Sequence, residues 1–194
     1  MIADCTALIL TGGESRRMRQ DKAALILGEH SLLQHVIYSV QPLFKDTIVS
    51  VRTPRANCDL LQVSDNPLHQ GPLAGLAAGL TQAKTAWIFV IACDMPFITP
   101  QLITTLAGFR EGVEAVVPVV DGFVQPMAAF YSVHCLDALQ EILNGSGKHS
   151  LRALLAKLQV RYVNEVEMRS SDPGLRSFLD LDTPQDVASA INIK

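Results

Sequence analysis

A rhythm constrains this chain more than any single motif. Short apolar runs recur as far as Val120, and segments with helical spacing separate them. The first run is Cys5-Thr6-Ala7-Leu8-Ile9-Leu10, followed at once by Thr11-Gly12-Gly13. A run that short, apolar on both faces, suits a buried parallel strand ending in a turn. Ser31 is a good N-cap, and Leu32, Leu33, Val36, Ile37, Val40 and Leu43 follow at helical intervals. Thr47 to Val51 reads as a second strand and Leu61 to Val63 as a short third. Gly71-Pro72 opens a small-residue helix with Pro in its first turn. Trp87 to Ala92 is the strongest strand signal, Thr99-Pro100 starts another helix, and Ala115 to Val120 forms a further strand. Alternation of this kind implies an α/β fold with a largely parallel sheet.

After Asp121-Gly122 the rhythm changes. Met127 to Tyr131 reads as a strand after a turn, with an antiparallel direction expected. Leu136 to Leu143 and Ser150 to Leu158 carry helical spacing, Arg161 to Val163 is a short strand, and Pro184 to Ile191 forms a last helix. No linker, low-complexity tract or repeat interrupts the 194 residues, so a single domain over 1–194 is expected.

Composition narrows the partners. With 48% hydrophobic and 18% charged residues the chain suits a soluble globular protein. A net charge of −3 without a basic patch argues against nucleic acid, whose binding rests on many phosphate contacts. It leaves room for a small anionic ligand. Cys5, Cys58, Cys93 and Cys135 form no CxxC pair and fit free thiols in a reducing cytoplasm. There is no basic signal-peptide region and no run of roughly 20 apolar residues, so a cytoplasmic location away from membranes is expected.

In open parallel sheets, ligands bind beyond the carboxyl ends of the strands. Two such ends carry unusual chemistry. In Leu10 to Lys22, Gly12 and Gly13 let the backbone approach a ligand, and Arg16, Arg17, Arg19 and Lys22 place four cations within seven residues. Such a loop suits a polyphosphate, although a solvated basic turn has the same composition. Neither the Walker spacing nor GxGxxG is present, and Gly145-Ser146-Gly147-Lys148 reads as a helix-connecting turn. The second end is Cys93-Asp94-Met95-Pro96. There Asp94 either holds a metal bridging phosphates or caps the turn before Pro96. Asp65 lies just beyond the third strand. Asp180 and Asp182 alternate, with Asp182 in position to cap the last helix. The five histidines are scattered and adjoin no nucleophile pattern, and GxSxG is absent.

Taken together, Leu-Thr-Gly-Gly-x-Ser-x-Arg-Met with Asp21-Lys22, then Gly71-Pro72-Leu73-Ala74-Gly75, then Cys93-Asp94-Met95-Pro96 resembles the molybdenum cofactor guanylyltransferase family. Gln125-Pro126 and Asp182-Thr183-Pro184 fit it too, so the likeness runs nearly the whole chain in the family's order. The loop and the post-strand Asp are shared with transferases for sugars, isoprenoid precursors and cytidylated molybdopterin. Gly12-Gly13 and the Gly71 segment point to the guanylyl branch.

The resemblance implies a three-layer α/β/α sandwich of nucleotide-diphospho-sugar transferase type, with a Rossmann-like, mostly parallel sheet and an antiparallel strand. It implies transfer of GMP from GTP to molybdenum-molybdopterin with release of pyrophosphate, and Mg2+ as cofactor. Leu10, Thr11, Gly12 and Gly13 would meet the nucleotide, with Ser50, Asp65 and Gly71 around it. Lys22 and Arg17 would act on the phosphates, and Asp94 would hold the metal with Asp180. Partners would include other cofactor-assembly proteins and recipient molybdoenzymes. A cytidylyl or sugar-phosphate transferase on the same fold is the neighbouring reading, and a non-catalytic nucleotide carrier the remote one. Against the family pattern, Thr11 replaces Ala, Arg19 replaces Gly, Ser50 replaces Asn, and Asp180 and Asp182 replace asparagines.

Overall fold

The computed structural model describes residues 1–11, 21–64, 69 and 71–191. β1 (Cys5–Leu10) is buried along its whole length. β2 (Ile26–Leu27) and β3 (His30–Ser31) form a small antiparallel hairpin before α1 (Leu32–Val40). Ser31 caps α1 in a capping box: its hydroxyl accepts the Gln34 N–H, and the Gln34 side chain accepts the Ser31 N–H. β4 (Asp46–Val51), β5 (Leu61–Ser64), α2 (Pro72–Gln82), β6 (Trp87–Ala92) and α3 (Pro100–Ala107) continue the alternation. β7 (Ala115–Val120), β8 (Phe123–Val124), β9 (Ala128–Ser132), α4 (Leu136–Asn144) and α5 (Leu151–Leu155) follow. β10 (Val160–Val163), α6 (Glu165–Met168) and α7 (Pro184–Ile191) complete the set.

The main sheet has the order β10-β7-β9-β6-β1-β4-β5, with β8 paired to β7. β6, β1, β4 and β5 are parallel neighbours, and β10 is parallel to β7. β9 runs antiparallel to both β6 and β7. Its direction follows from the connection before it. Asp121 (φ 50) and Gly122 (φ 77) are both left-handed, as a two-residue hairpin turn requires, and the chain returns along β7.

Alternate residues of each strand face opposite layers. On β1, Ala7 and Ile9 pack with Val36 of α1 and Leu102 of α3, whereas Leu8 and Leu10 pack with Leu76 of α2 and Leu139 of α4. Helices therefore cover both faces, giving three layers. A smaller cluster of Leu27, Leu32, Leu181, Val187 and Ala190 seats α7 against the β2–β3 hairpin and the start of α1. That contact brings the C-terminal segment back to residues near Lys22. One helix is shorter than expected. The helix sought over Ser150 to Leu158 ends at Leu155, because Lys157 and Leu158 donate to carbonyls only three residues back and tighten the chain. No spacing signal pointed to β2, β3 or β8, which are two residues each.

Candidate active site

The strand ends meet at one edge. Leu10 is in register with Ser50 of β4 and Ala92 of β6. The Cys93 N–H donates to the Leu10 carbonyl at 3.0 Å, extending that registry past β6. Thr11 donates twice to the Ser50 carbonyl, from its N–H at 3.1 Å and its hydroxyl at 2.7 Å. The Thr11 hydroxyl is thus turned inward and bonded. Ser50 is itself buried.

Asp94 stands one residue beyond Cys93, with its side chain 14% exposed. Its Oδ2 accepts from Lys22 Nζ at 3.2 Å. Its Oδ1 is buried and has no hydrogen-bond partner among the described residues. A carboxylate capping the turn before Pro96 would use its oxygens on nearby N–H groups. Asp94 does not, so the capping account of this residue fails.

Lys22 opens a short 3-10 turn, Lys22–Ala24, capped by the Asp21 carboxylate through the Ala23 N–H at 3.2 Å. Its ammonium is shared between Asp94 and Asp182. Partial burial works against the charge, but the bonds to Asp182 and Asp94 outweigh it and hold the Lys22 pKa above its ordinary value. The Leu181 N–H donates to the Asp94 carbonyl at 2.8 Å, so the C-terminal segment is tied to the turn after β6. Asp180 stays open to solvent on one side. Protein packed around its carboxyl, together with Asp94 and Asp182, pushes its pKa up to about 6, against the pull of Lys22. Asp182 is not the cap of α7. Thr183 is: its hydroxyl accepts the Asp186 N–H at 3.1 Å, and the Asp186 carboxylate accepts the Thr183 N–H at 2.7 Å. Thr-x-x-Asp at a helix start was a readable signal for that arrangement.

Gly71 precedes α2 with φ 93, a conformation that disfavours any side chain, and its carbonyl accepts from Ala74 and Gly75. α2 follows β5, so its positive end lies at the same sheet edge. Gly12, Gly13, Arg16, Arg17, Arg19 and Asp65 lie outside the described residues. Burial pushes the Cys5, Cys93 and Cys135 thiols up to about 12, which leaves them poor nucleophiles. Among the described residues, no group of three or more His, Cys, Asp or Glu side chains could hold a metal ion unaided. No helix among them is long and apolar enough to cross a membrane.

A family model described as "MobA-like NTP transferase domain" matches residues 7–164. The chain belongs to this family. Within it, the molybdenum cofactor guanylyltransferase of Syntrophotalea carbinolica is 36% identical over 185 residues, covering 93% of this chain and 88% of that protein. The enzyme of the same name from Desulfosudis oleivorans is 31% identical over 189 residues, covering 95% and 93%. Molybdopterin-guanine dinucleotide biosynthesis protein A from Archaeoglobus fulgidus superposes with a TM-score of 0.85 at 26% identity, covering 97% of each chain. 2-C-methyl-D-erythritol 4-phosphate cytidylyltransferase from Thermus thermophilus shares the fold, with a TM-score of 0.68 at 16% identity over 95% and 96%.

The chain is thus a nucleotidyltransferase of the MobA-like family. Sequence reasoning missed one charged residue of this MobA-like site. Arg55, between β4 and β5, grips Asp21 through both terminal nitrogens, at 2.8 and 2.7 Å. Arg55 follows no motif, and only the tertiary structure connects it to Asp21.

Proposed function

We propose that this single-domain nucleotidyltransferase transfers GMP from GTP to molybdenum-molybdopterin, forming molybdopterin guanine dinucleotide and pyrophosphate. The observation that carries the reading is the meeting of Lys22 and Asp94 at the carboxyl edge of the sheet, with one Asp94 oxygen buried and unpartnered among the described residues. The names of the similar proteins supply the nucleotide and the acceptor.

The acceptor ends in a phosphate monoester, already anionic near neutral pH, so no strong general base is needed. Its oxygen attacks the α-phosphorus and pyrophosphate leaves. The protein has to align two anions and offset their repulsion. Lys22 and Arg17 meet the triphosphate with positive charge. Leu10, Thr11, Gly12 and Gly13 would meet the nucleotide through backbone, and Ser50, Asp65 and Gly71 would complete its contacts.

Asp94 and Asp180 suit a magnesium ion. Asp94 has an oxygen to spare, and the Asp180 carboxyl is held toward its neutral form partly by carboxylates that a cation would offset. Two carboxylates completed by phosphate oxygens are a common magnesium environment. Magnesium held by Asp94 and Asp180 would supply neutralisation of the triphosphate charge. Lys22, shared by Asp94 and Asp182 in this structure, would contribute its own positive charge beside that site.

The product would pass to other cofactor-assembly proteins and recipient molybdoenzymes in the cytoplasm, with no role for nucleic acid or membrane. The test is pyrophosphate release from the protein with molybdenum-molybdopterin, magnesium and each of GTP, CTP and ATP in turn. GTP-dependent release supports the reading. A preference for CTP overturns the guanylyl assignment, and binding without release would make the protein a carrier.

A further inference from the structure

The connection between β4 and β5 contributes neither to the basic loop nor to the acidic cluster, yet it holds the residue next to Lys22. Arg55 Nη2 donates to Asp21 Oδ1 at 2.8 Å, and Nη1 lies 2.7 Å from Oδ2. This is a two-pronged grip, which fixes direction as well as distance. The Arg55 backbone is itself held. Its N–H donates to the Gln62 side-chain oxygen at 2.7 Å, and its carbonyl accepts from Gln62 Nε2 at 2.9 Å. The same Nε2 also donates to the Cys58 carbonyl, and Gln62 sits on β5 in register with Val49. A line of contacts therefore runs from the sheet through Gln62 and Arg55 to Asp21. The gripped Asp21 carboxylate caps the turn that Lys22 opens.

Such a grip adds little to folding. Asp21 is 48% exposed and Arg55 23%, and partly exposed ion pairs are screened and contribute little. Its value lies in position. A lysine carries its charge on a long flexible stem, so the ammonium is only as well placed as the backbone beneath it. The grip uses one N–H of each Arg55 terminal nitrogen and turns the charged end of the side chain toward Asp21.

We infer that Arg55 is a positioning residue for Lys22, acting through Asp21. The inference rests on the reading of Lys22 as the residue that meets the triphosphate. It specifies that the β4–β5 connection sets how well that lysine works.

The test is a double-mutant cycle on the full chain, comparing wild type with Arg55→Ala, Arg55→Lys, Lys22→Ala and Arg55→Ala/Lys22→Ala. GTP affinity with magnesium is measured by calorimetry, kcat and KM by pyrophosphate release, and Tm by calorimetric scan. Arg55→Ala should lower kcat/KM for GTP roughly tenfold to a hundredfold, the scale of small misplacements at a reacting centre. Its Tm should move by no more than about 4 °C. In the Lys22→Ala background, Arg55→Ala should cost no further GTP affinity or turnover. Arg55→Lys should recover part of the loss, since an ammonium cannot make the fork. An equal loss in both backgrounds would make Arg55 a direct nucleotide contact and overturn the inference. Unchanged kcat/KM, or a loss that tracks Tm, would overturn it too. If wild type neither binds GTP nor releases pyrophosphate, the transferase reading fails and the inference falls with it. Failure of the cycle alone leaves the transferase reading standing.

Discussion

Two kinds of structure meet at the carboxyl edge of the sheet. The strand ends Leu10, Ser50 and Ala92 share one register, are almost wholly buried, and are held by backbone bonds and by apolar packing on both faces. Beyond them, Lys22, Asp94, Asp180 and Asp182 keep some contact with solvent and are held chiefly by charge. The frame draws its stability from burial, which is worth about 25 cal/mol per Å² of apolar surface. The charged group contributes little stability, because partly exposed ion pairs give at most about 1 kcal/mol each. It is free to be spent on chemistry. Substitutions in the two regions should therefore separate function from folding in opposite directions.

The largest effect belongs to the charges. Lys22→Ala and Asp94→Asn should each lower magnesium-dependent turnover by about a hundredfold or more, the usual cost of one electrostatic contact to a transition state. Thermal unfolding of either variant should lie close to wild type. A variant that lost turnover only by unfolding would put Lys22 or Asp94 in the frame and erase the distinction.

The two regions were also unequally legible in the sequence. The frame could be read from local pattern, because a buried strand must be apolar whatever surrounds it. Cys5–Leu10 and Trp87–Ala92 fall where their apolar runs lie, and Ser31 and Thr99 cap the helices they precede. The antiparallel direction of β9 followed from the turn at Asp121-Gly122. The charged group depends on contacts that no local pattern encodes. Lys22 reaches Asp94 across 72 positions and Asp182 across 160. Family likeness nominated Lys22 and Asp94, whereas spacing alone left Asp94 as a turn cap and Asp182 as a helix cap. Arg55 had no signal at all, since one arginine in a loop looks like any solvated cation until its partner is known. Very short elements were lost for a related reason. β2 and β3 bury too little of their own to leave a periodicity, and packing of Leu27 with Leu181 and Val187 stabilises them.

The frame should respond to volume. A Cβ at Gly79 of α2 would lie 2.4 Å from Leu8 Cδ2, 2.8 Å from Cδ1 and 3.1 Å from Cγ, and Leu8 is fully buried on β1. Gly79→Val forces either Leu8 or the helix to move, and overpacking of this kind costs about 1–3 kcal/mol. Denaturant unfolding should show that loss. Turnover per folded molecule should stay within a few-fold of wild type, because Lys22 and Asp94 do not touch this contact. A collapse of turnover with unfolding unchanged would mean that the position of α2, and so of Gly71, is tuned for chemistry rather than for packing.

The smallest effect is expected where the regions join. α7 carries Val187 and Ala190 into the third apolar cluster, while Asp182 just before it holds Lys22. Thr183 links them, because its hydroxyl accepts the Asp186 N–H while the Asp186 carboxylate accepts from both Thr183 and Asp182. Thr183→Ala should cost about 1 kcal/mol, the usual worth of an N-cap, and hydrogen exchange should quicken first in α7. Bonds from Thr183 hold the Asp186 carboxyl below the usual carboxylate range. A group with a depressed folded pKa stabilises above its unfolded pKa and loses that contribution as pH falls through the folded value. The difference in α7 exchange between wild type and Thr183→Ala should therefore narrow at acid pH. Turnover should fall by less than about tenfold, since Asp94 still holds Lys22 when the tail loosens. A loss as large as that of Lys22→Ala would mean that the tail sets the lysine's working position. The charge-held region would then extend through Asp182 into α7, and the boundary between the two regions would have to be redrawn there.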